Sequence, residues 1–329
     1  TEHQRFQRMT LSPFAGQIHI NLIQNSLMRA FFLATVLFLS GCQPSQNGAT
    51  EGSSAQDQPQ NQSTTLLRIA MIGDGEPKPL AEFPNMAAAI TQINDIHASS
   101  PFDFVLGVGD IAHKGTLIQY EAATAELTRL EPPFYPIMGN EERESTVERY
   151  LEYASQWNGE VTQIRYVKEY DEVAFVFASP DEGRDFYDDG AAWVRDQLVA
   201  LAPKPVMLIV HGAQVGAYPE NPDKGITNEL FAREVVGQPN LVAMITGDLH
   251  MDMERVNHSK KLGNTHYLHI PGLERTKIPD ETNHSPMFRV MEISQDGLVT
   301  VFTYAVGESE PRASLTYSFE VPGFGSSPS

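Results

Sequence analysis

Phe104-Val105-Leu106-Gly107-Val108, followed by Gly109-Asp110-Ile111-Ala112-His113-Lys114-Gly115, is the stretch on which the fold turns. An apolar run of strand length passes straight into a loop that carries a carboxylate and an imidazole. The same event occurs upstream, where Leu66 to Ile72 runs into Gly73-Asp74-Gly75-Glu76, and Met86, Ile90 and Ile93 recur at helical spacing between the two runs. Downstream, a helix near Leu117 to Leu130 precedes a strand near Phe134 to Met138, which ends in Gly139-Asn140-Glu141-Glu142. A helix near Thr146 to Trp157, a strand Val173 to Ala178 and a helix around Ala191 to Leu201 follow. Val206 to Val210 then ends in His211-Gly212, and after a helix around Asn228 to Val236 the strand Leu241 to Thr246 ends in Gly247-Asp248-Leu249-His250. Strands alternating with helices predict parallel βαβ units and an α/β fold. The last stretch predicts strands alone: Tyr267 to Ile270, Phe288 to Ile293, Leu298 to Tyr304 and Leu315 to Val321, with Gln295-Asp296-Gly297 as a hairpin turn.

Ligands in open α/β sheets bind at the carboxyl ends of strands, so the five interrupted strand ends are expected to converge. One such loop means little, because an Asp or Asn after a strand more often caps the next helix. Five in succession, each joining a glycine to a side chain able to bind metal, exceed what caps explain. Glycine lets the backbone turn sharply and approach a ligand closely.

In order and rough spacing these loops resemble the calcineurin-like metallophosphoesterase family from Leu66 to about Tyr304. The family pattern is Asp-x-His, Gly-Asp-x-x-Asp, Gly-Asn-His-Asp/Glu, a lone His after a strand, and Gly-His-x-His. The resemblance implies a four-layer α/β/β/α sandwich in which two sheets pack face to face between helices. It also implies two divalent metal ions that activate a hydroxide to attack a phosphate ester. By position, Asp74 would bind the first ion, Asp110 would bridge both, Asn140 and His211 would hold the second, and His250 would complete the first. Acids stand at three family histidines: Glu76, Asp248 and, in place of the catalytic His, Glu141. Glu76 and Asp248 remain competent ligands. Purple acid phosphatases, a branch of the family, recruit a Tyr three residues after the bridging Asp; this chain has His113 there, so either Glu76 or His113 could enter the first metal shell, and His113 could instead face solvent or a substrate oxygen.

Two ions about 3.5–4 Å apart need a shared carboxylate to offset their repulsion, which suits Asp110. Carboxylates in place of imidazoles shift preference from Zn toward harder ions, so Mn is expected over Zn, with Mg or Ca also admitted. The extra acids would repel one another and an incoming phosphate unless cations offset them. A protonated Glu141 could donate a proton only if its pKa were raised. The expected activity is hydrolysis of phosphomonoesters or phosphodiesters; the alternative is a catalytically impaired protein of the same fold that binds a partner.

The rest of the 329 residues bounds this reading. Their 23 Lys+Arg against 42 Asp+Glu give a net charge of −19, which disfavours nucleic acid as a partner. A single cysteine excludes an internal disulfide and a thiolate zinc cluster. That residue, Cys42, follows the short apolar run Phe31 to Leu39 and closes Leu39-Ser40-Gly41-Cys42, which resembles the lipobox of bacterial lipoproteins, where the cysteine is lipidated. With Met28 as the start of a signal peptide, residues 1–42 form an upstream segment plus leader, 43–65 a polar tether, 66–322 one domain and 323–329 a tail. Removing residues 1–42 takes away three bases and one acid, leaving 20 against 41, or −21. The expected location is the bacterial envelope, lipid-anchored to the outer membrane. His97, His258, His266, His269 and His284 are assigned to caps, packing or solvent, and the acidic run Asp181 to Asp189 to a solvated loop.

Overall fold

The computed structural model describes residues 64–321 and Phe324. The expected leader and lipobox lie outside the described residues, as do the expected tether and tail apart from Thr64, Thr65, which opens the first strand, and Phe324.

The first sheet has the order β12-β11-β10-β1-β2-β3. Its strands are β1 (Thr65–Ile72), β2 (Phe104–Gly107), β3 (Phe134–Pro136), β10 (Met287–Ser294), β11 (Leu298–Ala305) and β12 (Tyr317–Glu320). β1, β2 and β3 run parallel, Met71 opposite Leu106 and Leu106 opposite Tyr135. β10 joins β1 antiparallel, and Gly297, at φ 84°, closes the β10–β11 hairpin that Gln295-Asp296-Gly297 foretold. The second sheet has the order β4-β5-β6-β7-β9-β8, from β4 (Arg165–Glu169), β5 (Ala174–Ala178), β6 (Val206–Ile209), β7 (Leu241–Thr246), β8 (Ser259–Leu262) and β9 (Thr265–His269).

Period-2 alternation puts these sheets face to face. Phe175 and Phe177, with Met207 and Ile209, belong to the core shared with the first sheet, whereas Ala174, Val176, Leu208 and Val210 face a second core. Phe104 meets Phe175 edge-on at 5.3 Å between ring centroids, a contact worth about 0.5–1.5 kcal/mol beyond burial. Helix α1 (Pro84–Ser99) buries Met86, Ala89, Ile90 and Ile93, while α2 (Leu117–Leu127) and α4 (Val147–Trp157) stack Tyr120 on Tyr153 at 4.6 Å. A four-residue turn, α3 (Asn140–Arg143), precedes α4. α5 (Asp188–Leu201) begins with two acids that suit the positive end of its dipole and buries Ala191, Val194 and Leu198 in the second core. The result is the four-layer α/β/β/α sandwich. The helix expected around Asn228 to Val236 is centred on a π-helical turn, Phe231–Val235. Among the described residues no helix is long and apolar enough to cross a membrane.

Candidate metal centre

All five loops leave the carboxyl ends of β1, β2, β3, β6 and β7, and backbone hydrogen bonds sew them together. Asp74 N–H donates to the Gly109 carbonyl at 3.1 Å, Glu76 N–H to the Asp110 carbonyl at 2.9 Å, and Gly247 N–H to the His211 carbonyl at 2.9 Å. Gly109 lies at φ 92°, and a Cβ there would stand 2.5 Å from the Gly139 backbone. A Cβ on Gly139 would stand 2.2 Å from the Asp110 carboxylate, so both glycines are required by close approach. The described non-glycine residues at positive φ are Asp74, Asp110, Lys114, Asp248 and His250. Such conformations cost on the order of 1–3 kcal/mol each and collect at functional sites.

Glu142 organises the second and third loops. Its buried carboxylate accepts the N–H groups of Asp110, Ile111, Ala112 and Gly139 at 2.6–3.0 Å. Asp110 Oδ1 in turn accepts Glu141 N–H at 2.8 Å, and Asp74 Oδ1 accepts Asp248 N–H at 3.0 Å.

Asp74, Glu76, Asp110, His211, Asp248 and His250 are all buried, and two groups of ligand atoms lie within 4.8 Å of one another: Asp74, Asp110 and His211, and Glu76, Asp110 and His250. Asp110 belongs to both. His250 Nδ1 donates to the Arg275 carbonyl at 3.2 Å, which leaves Nε2 as the lone-pair nitrogen, 3.5 Å from Glu76 Oε1 and 3.9 Å from Asp74 Oδ1. Among the described residues nothing hydrogen-bonds to His250 Nε2, Asp74 Oδ2 or Glu76 Oε2. Burial, then the charges of Lys277 and Arg275, keeps the His250 imidazole well below its usual range and hence neutral. Burial also lifts Asp74 to about 7, against the pull of His211, and lifts Glu76 to about 8, reinforced by Asp110 and Asp74. Buried unpaired donors of this kind fit a divalent cation.

The other side of the cleft differs. His211 Nδ1 donates to the Val108 carbonyl at 2.8 Å, placing Nε2 3.2 Å from Asn140 Oδ1, 3.3 Å from Asp110 and 3.7 Å from Asp248. Burial opposes its charge, yet Asp110, Asp248 and Asp74 raise it to about 10. Arg184 donates to Asp248 Oδ2 at 2.7 Å and to Asn140 Oδ1 at 3.0 Å, and Lys224 lies 2.8 Å from Asp248 Oδ1. Against its burial, His211, Lys224 and Arg184 hold the Asp248 carboxyl below its ordinary value.

Glu141 is buried in a third arrangement. It accepts Lys78 Nζ at 2.5 Å, His113 Nδ1 at 2.6 Å and Lys114 N–H at 3.0 Å. Burial alone would raise it, but these hydrogen bonds hold it at about 2, so it is a carboxylate and not a proton donor. Glu76, and not His113, lies with Asp110 and His250; the His113 ring is turned onto Glu141. Arg275 reaches Glu76 Oε1 at 3.0 Å and Lys78 stands 3.6 Å from it.

Each acid that stands at a family histidine therefore has basic partners: Glu76 has Arg275 and Lys78, Glu141 has Lys78 and His113, and Asp248 has Arg184 and Lys224. None of these four Lys and Arg side chains was singled out by the sequence. Arg184 sits inside the acidic run read as a solvated loop, which is instead tied down: Asp185 accepts Thr227 N–H at 3.0 Å and Asp181 pairs with Arg165. His258 and His284, expected in solvent, are half-buried, and His284 bridges Thr276 and the Leu273 carbonyl. His97 accepts Phe102 N–H, and His266 stacks on Phe319 at 4.0 Å, as caps and packing predict.

A family model for calcineurin-like phosphoesterases matches residues 67–252, more than half of the 329. No curated protein matches the chain by sequence. Among solved structures it is similar to a dimetal phosphatase from Danio rerio, at 12% identity and a TM-score of 0.59, over 78% of this chain and 100% of that one. It is also similar to the purple acid phosphatase PPD1 from yellow lupin seeds, at 13% identity and a TM-score of 0.54, over 79% of this chain and 54% of that one. A third likeness is to GAP50, the anchor in the inner membrane complex of Plasmodium, at 12% identity and a TM-score of 0.55, over 78% and 89%. At such identities these likenesses bear on the fold, and they agree with the family model and with loops that meet at one cleft: the chain belongs to the calcineurin-like phosphoesterase family.

Proposed function

We propose that the protein is a metal-dependent hydrolase of phosphate monoesters or diesters, carried outside the cytoplasm on a lipid attached to Cys42. The observation that carries the catalytic part is the pair of ligand groups sharing Asp110. Asp74, Glu76, Asp110 and His250 would hold a divalent ion, and the family's arrangement calls for a second among Asp110, Asn140, His211 and Asp248. When bound, such a centre supplies a nucleophilic hydroxide and draws charge from the phosphate. A site with three carboxylates to one imidazole favours Mn over Zn, with Mg or Ca admitted. Stoichiometric zinc removed by EDTA together with activity would overturn that preference.

The chain's own residues do the rest. Glu141 fixes the His113 ring through Nδ1, leaving Nε2 as the nitrogen able to exchange a proton with a leaving oxygen. Lys78 and Arg275 neutralise Glu76 and Glu141 at the mouth, so an anionic ester meets less repulsion. The loops 213–227 and 274–286 bring Lys224 and Arg275 to the cleft and are where substrate choice resides.

Hydrolysis of p-nitrophenyl phosphate and its bis ester with Mn, Mg, Ca or Zn tests this against Asp110→Asn; equal rates would support the second reading, a binding protein of the same fold. What favours that second reading is Arg184 on both Asp248 and Asn140, together with the likeness to GAP50, which is itself an anchor. For the lipid, radiolabelled palmitate should enter the wild-type chain in a bacterial host and not Cys42→Ala; equal labelling would refute the anchor and the envelope location with it.

A further inference from the structure

We infer that the centre takes a single divalent ion, because Arg184 and Lys224 fill the half that a second would occupy. This rests on the metal-dependent reading above. Asp248 presents Oδ1 to Lys224 Nζ at 2.8 Å and Oδ2 to Arg184 Nε at 2.7 Å, while Asn140 Oδ1 accepts Arg184 Nη2 at 3.0 Å. Lys224 Nζ also donates to the Asp248 carbonyl at 3.0 Å, so it is anchored twice. Both oxygens of one expected ligand and the amide oxygen of the other are thus committed to fixed positive charge, and a guanidinium does not lose its proton.

An ion bound to those oxygens at about 2.0–2.6 Å would stand roughly 5 Å or less from both cations. It would have to coexist with them or displace them from buried carboxylate partners. The open donors lie on the other side, where Asp74 Oδ2, Glu76 Oε2 and His250 Nε2 are buried without a hydrogen-bond partner among the described residues. Arg275 engages one oxygen of Glu76 and leaves the other available, unlike Asp248, whose two oxygens are both taken. Arg184 and Lys224 then carry the positive charge that a second ion would have brought.

The test is metal content. The full chain is loaded with Mn(II), freed of excess ion and measured by elemental analysis and electron paramagnetic resonance. One Mn per chain with the spectrum of an isolated ion is expected, falling to none in His250→Ala. The triple variant Arg184→Met/Lys224→Met/Asp248→His, which removes the cations and restores the family's imidazole, should rise to two with an exchange-coupled spectrum. Two Mn in the wild type, an ion retained by His250→Ala, or a triple variant that stays at one would each overturn the inference while leaving metal dependence standing. No Mn in either wild type or triple variant would overturn the metal-dependent reading as well.

Discussion

The two sides of the cleft use the same kinds of side chain and end in opposite states. Around His250 the protein leaves buried acceptors open, and two carboxyls rise to about 7 and 8 because charging them there is unfavourable. Around Asp248 every oxygen is met by a Lys or Arg, and the carboxyl falls. An acid in place of an imidazole therefore has no fixed meaning. Where no cation fills its second oxygen it is a waiting ligand, and where cations fill both it is half of a buried ion pair.

Asp110 belongs to both sides, so its loss should have the largest effect. Asp110→Asn keeps the shape and removes the shared charge. The fall in kcat/KM should exceed the roughly 10–100-fold that losing an outer partner of a ligand costs. A fall of less than tenfold would mean that the groups around Asp110 do not work as one centre.

The open side should also dominate the pH dependence of the metal-free protein. Asp74 and Glu76 have folded values of about 7 and 8, above their unfolded ones of roughly 4, so the folded state holds more protons across that interval. Their contribution is full at low pH and is lost as pH rises through the folded values. Thermal unfolding in EDTA should therefore move to lower temperature as pH rises from about 5 to 7, at about 1.4 kcal/mol in stability per pH unit for each of the two groups. Saturating Mn should flatten the slope, since a cation replaces the protons. A slope of the same size with and without metal would show that these carboxyls are not its ligands.

Much of this was legible in the sequence. Each site loop announced itself because a glycine and a ligand residue broke an apolar run, as at Val108-Gly109-Asp110, and the carboxyl ends of the parallel strands of both sheets supply these loops. The edge strands β4 and β8 escaped notice because Arg165-Tyr166-Val167-Lys168-Glu169 and Ser259-Lys260-Lys261-Leu262 carry the charges that guard an edge and no apolar period. The cations escaped for another reason. Arg275 lies 199 residues from Glu76 and Arg184 lies 64 from Asp248, so no spacing rule links them, and only the packed sheets bring them together.

Opposite signs are expected when one charge is removed from each side. Glu76→Gln should stabilise the metal-free protein at pH 7 by about 1–2 kcal/mol, because a carboxyl raised to about 8 must take up a proton on folding at that pH and an amide need not. Arg184→Met should destabilise it by about 1–3 kcal/mol, because Asp248 keeps its burial and loses a partner. Denaturant unfolding of both variants in EDTA gives the comparison directly. Changes of the same sign would erase the distinction between the two sides.

The smallest effect is expected at the rim. Glu141 touches neither ligand group through its carboxylate; its oxygens bind Lys78, His113 and the Lys114 N–H. Glu141→Gln would keep one acceptor for those donors while weakening the grip on His113 Nδ1, so the ring would be misaligned only part of the time. The loss should be about tenfold in kcat, at the low end of what outer partners contribute, with metal content unchanged. The leaving group gives a sharper reading. If His113 Nε2 supplies the proton, the loss should be larger for an alkyl phosphate, whose leaving oxygen needs one, than for p-nitrophenyl phosphate, whose leaving oxygen does not. Equal losses for both would place Glu141 in the shaping of the cleft and not in proton transfer.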